Sequence, residues 1–313
     1  MRDLFRLPFT SWSVSVLLFL MIGAMRADAG TVVSGAVSGT WNLAGSPYWV
    51  EGDLQVLPTT TLTVEPGVEV RFRGPYRLSV IGTLRAVGTV VDSILFTRDQ
   101  PMAAMDWRGI RMVGANDAST LEYCRIEHVT ASTVYPDVRG GGVYCESCAP
   151  TIRSCLLQHN DSHNQNSNGM GGGVACIEAS PLIEDCVMRY NRADSGGGVA
   201  VLEVCAPIIR GNLIHDNQAP YAGGGIYAGV RSSAVIENNV IRDNSAGGWG
   251  GGGITLWNWY AVYPYSKTVR NNIVAGNTTS AAGGGFCALR LLRDGEQHHR
   301  RQHRSLGWGS PTS

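Results

Sequence analysis

The chain has 313 residues, 25 of them basic and 25 acidic, so its formal net charge is zero. This balance gives no electrostatic basis for binding nucleic acid or an anionic membrane surface, and we expect neither as a partner. Glycine supplies 40 residues, as a backbone with many tight turns requires.

The N-terminus has the features of a signal peptide over residues 1–29. Residues 1–6 are positively biased, residues 14–22 are apolar apart from one serine, and residues 27–29 form a small-x-small cleavage site. The apolar run is shorter than the ~20 residues of a spanning helix, so a membrane anchor is the less favoured alternative. We expect export to the periplasm, the cell surface or the medium, with no transmembrane span in the mature chain.

Residues 30–118 contain no glycine triplet but consist of short runs of alternating apolar and polar residues. Examples are TLTVEPGVEVRF from Thr61 and WRGIRMVG from Trp107. Such runs predict strands. Since the first coil of a solenoid needs a cover against edge pairing, we expect an N-terminal cap and the first coils here.

Residues 119–290 repeat a glycine triplet followed by a short alternation. The triplets recur at steps of 25 to 32 residues, which indicates a solenoid. They begin at Gly140, Gly171, Gly196, Gly223, Gly251 and Gly283.

A second phrase follows the first five triplets, for example PTIRSCLLQHN from Pro150. Its aliphatic residues are flanked by polar ones, and no amphipathic run reaches the roughly ten to twelve residues of a helix. Short β-branched strands broken by Gly, Asn and Pro indicate about three strands per coil, stacked at roughly 4.8 Å. The predicted fold is all-β, a right-handed parallel β-helix.

One column of charged residues supports stacking in register. The residue after the first inward aliphatic of each copy alternates in sign, and unlike charges on neighbouring strands stabilise by roughly 0.2–1 kcal/mol. The column contains Glu122, Arg153, Glu184, Arg210, Glu237 and Arg270. We interpret these charges as structural.

Two further columns are predicted to stack. An asparagine closes each second phrase, where it tolerates left-handed backbone and bonds to its copy in the next coil. These asparagines are Asn160, Asn191, Asn217, Asn244 and Asn277. The other column contains Cys124, Cys155, Cys186, Asn212, Asn239 and Asn272.

The register argues against a disulfide framework for the eight cysteines. Cys148 and Cys205 occupy the same position two coils apart, which places them roughly 9–10 Å from each other, beyond bridging distance. We expect mostly free, buried thiols, with a geometrically awkward Cys124–Cys155 bridge left open as an alternative.

Two sets of residues are candidates for chemistry. Asp216 and Asp243 stand beside ladder asparagines in successive coils and are the nearest candidates for a catalytic carboxylate pair, with a solvated turn ladder as the favoured interpretation. Imidazoles and carboxylates on neighbouring loops could hold a transition metal or calcium, with stacked surface histidines as the favoured interpretation. These side chains are His128, His159, His163, Asp137 and Asp161. No cofactor is expected, and calcium is left open.

A third set of residues is aromatic. Flat rings that project from a solenoid suit stacking on sugar rings, and the alternative is a loop that folds its aromatics onto the coil. The set contains Trp249, Trp257, Trp259, Tyr260, Tyr263 and Tyr265.

The tail, residues 291–313, has no strand pattern and contains the basic run HHRRQHR. Back-translation of EQHHRRQHRSLGWG, read one base later, permits SNTIAGNTAAWGGG, the phrase expected of the next coil. We therefore hypothesise a frameshifted end, which would leave the solenoid truncated at its C-terminus.

The run from GTWNLAGSPYWVEGDLQV to WRGIRM resembles exported bacterial right-handed β-helix proteins of the pectate-lyase-like superfamily. The alternation of GGGV or GGGI with LxxN is similar to the GGAI and FxxN repeats of polymorphic outer-membrane adhesins, with other apolar residues in place of Phe. The resemblance implies calcium-binding acidic clusters in lyases and spaced carboxylates in hydrolases. This sequence shows no such cluster.

The sequence favours an exported, non-catalytic β-helix protein that binds a polysaccharide, a surface glycan or a cell-surface protein, as an adhesin does. One alternative is a polysaccharide lyase, glycoside hydrolase or uronate epimerase acting in the groove. Another is a purely architectural stalk.

Overall fold

The computed structural model describes residues 30–100, 106–131, 138–164, 169–258, 265–280 and 283–290. The proposed signal peptide and the tail lie outside these ranges. Among the described residues, no helix has both the length and the apolar character to cross a membrane.

The N-terminal part contains nine strands and one short 3-10 helix, Leu43–Gly45. The strands are β1 Thr31–Ala36, β2 Gly39–Trp41, β3 Tyr48–Val56, β4 Thr61–Val64, β5 Glu69–Phe72, β6 Leu78–Val80, β7 Thr83–Val87, β8 Ile94–Arg98 and β9 Ile110–Val113.

The repeat region continues with short strands at every coil. They are β10 Thr120–Glu122, β11 Cys124–Glu127, β12 Val143–Glu146, β13 Thr151–Arg153, β14 Leu156–Gln158, β15 Val174–Ile177, β16 Leu182–Glu184, β17 Val187–Arg189, β18 Val199–Leu202, β19 Ile208–Arg210 and β20 Leu213–His215. The later ones are β21 Gln218–Ala219, β22 Ile226–Ala228, β23 Val235–Glu237, β24 Val240–Arg242, β25 Ser245–Ala246, β26 Ile254–Asn258, β27 Thr268–Arg270, β28 Ile273–Ala275, β29 Thr278–Thr279 and β30 Phe286–Arg290.

Each strand pairs in parallel with its copy in the next coil, which confirms the predicted parallel β-helix. The strands after the glycine triplets continue the sheet begun by β6 and β9, and together they form what we call the glycine face, β6-β9-β12-β15-β18-β22-β26-β30. The charge face is β2-β4-β7-β10-β13-β16-β19-β23-β27. The third face is β5-β8-β11-β14-β17-β20-β24-β28. The long strand β3 pairs with both β5 and β6, so it joins the glycine face to the third face.

The glycine triplets let adjacent coils approach closely. Gly196 has a φ of 69°, a left-handed conformation that costs a side-chain-bearing residue free energy. A Cβ atom on Gly197 would lie 2.5 Å from the carbonyl oxygen of Gly224 in the next coil. The triplet is therefore required by coil stacking.

A single apolar core runs inside the coil along its length. Side chains alternate across each strand, so Val143 and Cys145 of β12 are fully buried in this core, as are Ile152 and Leu157 on the other two faces. This is the burial that the repeat pattern predicts.

The charged column is confirmed as an in-register stack on the charge face. Glu122 pairs with Arg153, Arg153 with Glu184, and the order continues to Arg270. The ion pairs form two by two, with N···O distances of 2.9 Å for Arg153–Glu122, 2.7 Å for Arg210–Glu184 and 2.6 Å for Arg270–Glu237.

The asparagine ladder is also confirmed. Asn217 is typical: its amide donates to the Oδ1 atom of Asn244 at 2.9 Å and to the carbonyl oxygen of Met188 at 2.9 Å. Its own Oδ1 accepts from the backbone and side-chain amides of Asn191 at 3.0 Å. The second column stacks in the same way where it is asparagine, as between Asn212 and Asn239.

The ladder asparagines do not take the left-handed conformation that asparagine tolerates. The residue before each asparagine takes it instead, with φ of 55° at His159 and 53° at Asp216. The asparagine side chain must point into the coil to form the hydrogen bonds of the ladder. The change of chain direction therefore occurs at the residue before it, whose side chain points outward.

All eight cysteines are free, seven of them buried. The Cys155 thiol donates to the carbonyl oxygen of Leu121 at 3.3 Å instead of bridging to Cys124. The expectation of mostly free, buried thiols is confirmed.

Candidate functional site

The outer side of the glycine face carries an aromatic cleft. Strand alternation puts Tyr144, Ala175, Ala200, Tyr227 and Thr255 in one outward column. At the C-terminal end of this column a cleft of about 250 Å³ opens beside Tyr227. Its lining residues are Ser195, Tyr221, Ala222, Tyr227, Trp249 and Trp257.

Three successive coils build the cleft. The segments that precede the glycine triplets are linked by backbone hydrogen bonds, from Tyr221 to the carbonyl of Asp194 and from Trp249 to the carbonyl of Tyr221, each at 3.0 Å. This ladder sets the Tyr221 and Trp249 side chains one coil apart. Trp257 enters from β26, so strand and loop residues meet in one cavity.

The cleft is apolar at its walls and carries no formal charge on its six lining side chains at neutral pH. The Trp249 side chain is 63% exposed and forms the open edge. Burial raises the pKa of Tyr227 to about 12, so this phenol stays a neutral hydrogen-bond donor. The arrangement is suited to a ligand with both an apolar face and hydroxyl groups.

A half-buried cation contacts the backbone of Trp257 but is not one of the lining side chains. The Lys267 ammonium donates to the backbone carbonyl of Trp257 at 3.4 Å, across the base of the loop between them. Burial lowers the pKa of Lys267 to about 8. This contact helps to hold the backbone that presents Trp257.

The structure brings together only some of the predicted aromatic residues. Trp249 and Trp257 line the same cleft, whereas Tyr265 is not one of its lining residues. Trp259, Tyr260 and Tyr263 lie outside the described residues. Tyr221 and Tyr227 also line the cleft, although neither was predicted from the sequence. Tyr227 could have been found from its outward position in the strand after Gly223–Gly225.

Asp216 and Asp243 each bond to the residue before them. Asp216 accepts from the Nδ1 atom of His215 at 2.6 Å, and Asp243 accepts from Arg242 at 2.5 Å. Both carboxylates stand at left-handed corners, with φ of 53° and 54°. This local pairing supports the turn-ladder interpretation.

The candidate metal ligands divide into two places. His128 and His159 stack with ring centroids 5.3 Å apart, and the stack continues from His159 to Tyr190 at 5.2 Å. Burial, and then the charge of Arg98, lower the pKa of His128. In two parallel stacked rings, the nitrogen atoms lie at the ring edges and point in parallel directions. They therefore do not converge on one point, as the ligands of a metal ion would.

His163 and Asp161 lie on the next loop, and Asp137 falls outside the described residues. The Asp161 carboxylate accepts from the backbone amide of His163 at 2.7 Å. In the described part of the chain, no three His, Cys, Asp or Glu side chains are grouped to hold a metal ion. Binding of calcium or of a transition metal therefore stays a prediction, and the described residues supply no set of ligands for it.

Asp194 is a buried carboxylate that sequence reasoning missed. It contacts the Nδ1 atom of His163 at 2.5 Å and accepts from the backbone amide of Gly169 at 2.7 Å. The Asp194 side chain is fully buried, whereas a quarter of the His163 side chain is exposed. Asp194 precedes Ser195 of the cleft wall, so this pair fixes the loop next to the cleft.

Comparison with known proteins supports the architecture. The family described as a right-handed beta helix region matches residues 108–290. No curated protein and no solved structure matches the chain.

Proposed function

The chain belongs to the right-handed beta helix family, and on this premise we propose that it is an exported, non-catalytic protein that binds a glycan in the aromatic cleft. The observation that carries the proposal is the meeting of Trp249, Trp257, Tyr221 and Tyr227 in one cavity. An adhesin-like role at the cell surface would follow from such binding.

The chemistry of the lining residues fits a sugar. Indole and phenol rings desolvate the apolar C–H face of a pyranose, while their N–H and O–H groups bond to its hydroxyls. A volume of about 250 Å³ lies just below the roughly 300–1,000 Å³ usual for small-molecule sites. The cleft therefore suits a short part of a glycan, held in a pocket and not along an extended groove.

The charge of the lining predicts which glycan binds. Because the six lining side chains are uncharged, they offer no compensation for desolvating a carboxylate. We therefore expect neutral sugars to bind more tightly than uronates.

The test is a glycan-array screen of the full chain, followed by titration calorimetry with the best ligand. Trp249→Ala and Trp257→Ala should each weaken binding about tenfold or more, as loss of about 1.4 kcal/mol would. Tyr190→Ala is the matched control, since this ring is 48% exposed but lies on the third-face corner. Retained affinity in both tryptophan variants would exclude the cleft as the site.

One observation favours a hydrolytic or eliminating enzyme as a second candidate. A histidine whose Nδ1 atom bonds to a buried carboxylate is oriented to act as a proton acceptor through its other nitrogen, and His163 has this relation to Asp194 beside the cleft wall. Release of reducing or unsaturated sugar from glycans, abolished in His163→Gln, would establish this function over the non-catalytic one.

A further inference from the structure

The outer surface of the charge face carries two columns of side chains. In strands β10, β13, β16, β19, β23 and β27 the middle residue points into the core, so the residues on either side of it point outward. One outward column is the charged column. The other, which we call the neutral column, contains Thr120, Thr151, Leu182, Ile208, Val235 and Thr268, each one in register with the next.

The neutral column is apolar at its middle and polar at its ends. Ile208 is 38% exposed, and its neighbours Leu182 and Val235 are half-buried. Threonines occupy the remaining positions, two before and one after these aliphatic residues. An apolar centre between polar ends is the layout of a protein–protein interface.

We propose that the charge face is the contact of a homodimer, in which a second copy of the chain packs its own charge face against this one. The two copies are related by a two-fold axis that runs parallel to the strands and passes between β16 and β19.

The alternating charges make the face complementary to itself under this axis. The axis reverses the order of the coils, so β16 lies opposite the partner's β19, β13 opposite its β23, and β10 opposite its β27. Because the signs alternate, every charge then meets an unlike one. The opposed side chains are Glu184 and the partner's Arg210, Arg153 and the partner's Glu237, and Glu122 and the partner's Arg270. An axis through a coil would oppose like charges, so the column selects the register.

The arginines can serve both copies at once. Their ion pairs within the chain leave 42% of the Arg153 side chain, 42% of Arg210 and 62% of Arg270 exposed. A guanidinium group has five N–H donors, so it can keep its own glutamate and donate to that of the partner.

The same axis brings the apolar side chains together. Leu182 lies opposite the partner's Ile208 on both sides of the axis, while threonines lie at the two ends of the contact. Burial of these aliphatic side chains, part of whose surface is exposed in the single chain, stabilises the dimer.

The contact is narrow. Six coils extend about 24 Å along the axis of the stack, whereas the two outward columns are only about 7 Å apart. An interface of this size is at the low end of specific contacts, so we expect a dimer that dissociates on dilution. The aromatic cleft lies on the glycine face, so the dimer does not depend on glycan binding.

The experiment mixes two charge reversals, Arg210→Glu and Glu184→Arg, in the full chain. Sedimentation velocity over a concentration series should show a monomer–dimer equilibrium for wild type. Each variant alone opposes like charges at both symmetric contacts, and its dimer Kd should rise about tenfold or more. In an equimolar mixture the two introduced charges face each other, and the dimer should return. A loss of stability within one chain cannot produce recovery on mixing.

The apolar centre gives a second test. Ile208→Lys places a charge where Leu182 of the other copy packs, so it should raise the dimer Kd about tenfold or more. Ile273→Lys is the matched control, because Ile273 is 62% exposed on the third face, and it should dimerise as wild type does. Circular dichroism checks that each variant is folded. A wild type that stays monomeric at the highest concentration, or a mixture no more dimeric than its components, would overturn the proposal.

Discussion

In this fold, each residue is constrained by the equivalent residues in the preceding and following coils. The ladder asparagines were predictable from their recurrence, since a short amide that returns once per coil has its copy as the nearest polar partner. The left-handed corner before them was not predictable. The corner positions hold residues as different as His159, Tyr190 and Asp216, and their shared φ follows from the turn and not from residue type.

Asn217 gives a prediction for the ladder. Asn217→Ala removes the amide that satisfies the Met188 carbonyl and leaves the Asn191 amide without its acceptor. Because these groups are buried, each costs about 1–3 kcal/mol unpaired, and we expect the free energy of unfolding to fall by roughly 3 kcal/mol. Urea denaturation measures it. The exposed neighbour Gln218→Ala is the control, and an equal, small loss in both variants would contradict the ladder's role.

Lys267 gives a prediction of pH dependence. Its pKa falls from 10.5 to about 8 on folding, so between these pH values the unfolded chain keeps a proton that the folded protein has released. The free energy of unfolding therefore rises with pH across this window. Solvent screening reduces the effect, because the side chain is only partly buried.

The variant Lys267→Met isolates this contribution, since the other titrations cancel in the comparison. As the pH rises from 8 to 10.5, the free energy of unfolding of the wild type should increase relative to that of Lys267→Met. Chemical denaturation at several pH values measures it, and parallel pH profiles of the two proteins would show that Lys267 is not buried as described.

Each strand of this molecule depends on its pairing with the equivalent strands of adjacent coils. Strands of three or four residues are too short to be stable alone, and they persist because each pairs with neighbours in two coils. Periodicity therefore predicted the three faces and the charge column well. The cleft was only half predicted: Trp249 and Trp257 stood out as aromatic, but their meeting with Tyr221 depends on loop backbones that no repeat specifies.

The charge column can be tested at the element scale. Arg210 lies between Glu184 and Glu237, so Arg210→Glu would place three carboxylates in line. With two cross-strand pairs affected, at roughly 0.2–1 kcal/mol each, we expect a loss of about 1–2 kcal/mol. Urea midpoints measure the loss at low and high salt.

Arg210→Gln is the matched control, because it removes the attraction without adding repulsion and should lose about half as much. The loss in Arg210→Glu should shrink in high salt, since the charges are partly exposed. If the loss of stability does not depend on salt, the effect comes from packing and not from charge, which would contradict the role of the column.

The described residues form a stack of coils in which each strand pairs with its copies in the adjacent coils, around one continuous core. Because each coil repeats nearly the same short sequence, the stack presents a long outer surface. In the described coils, that surface carries a cleft with four aromatic side chains. The regular part of the molecule explains its stability, and the proposed binding site lies where the chain departs from the repeat.

The central claim is that this cleft binds a glycan, and a crystal structure of the full chain with its best array ligand tests it most directly. The account predicts a sugar ring stacked on Trp249 or Trp257, with its hydroxyls bonded to groups of the cleft. A sugar bound on another face, with the cleft left to solvent, would contradict it.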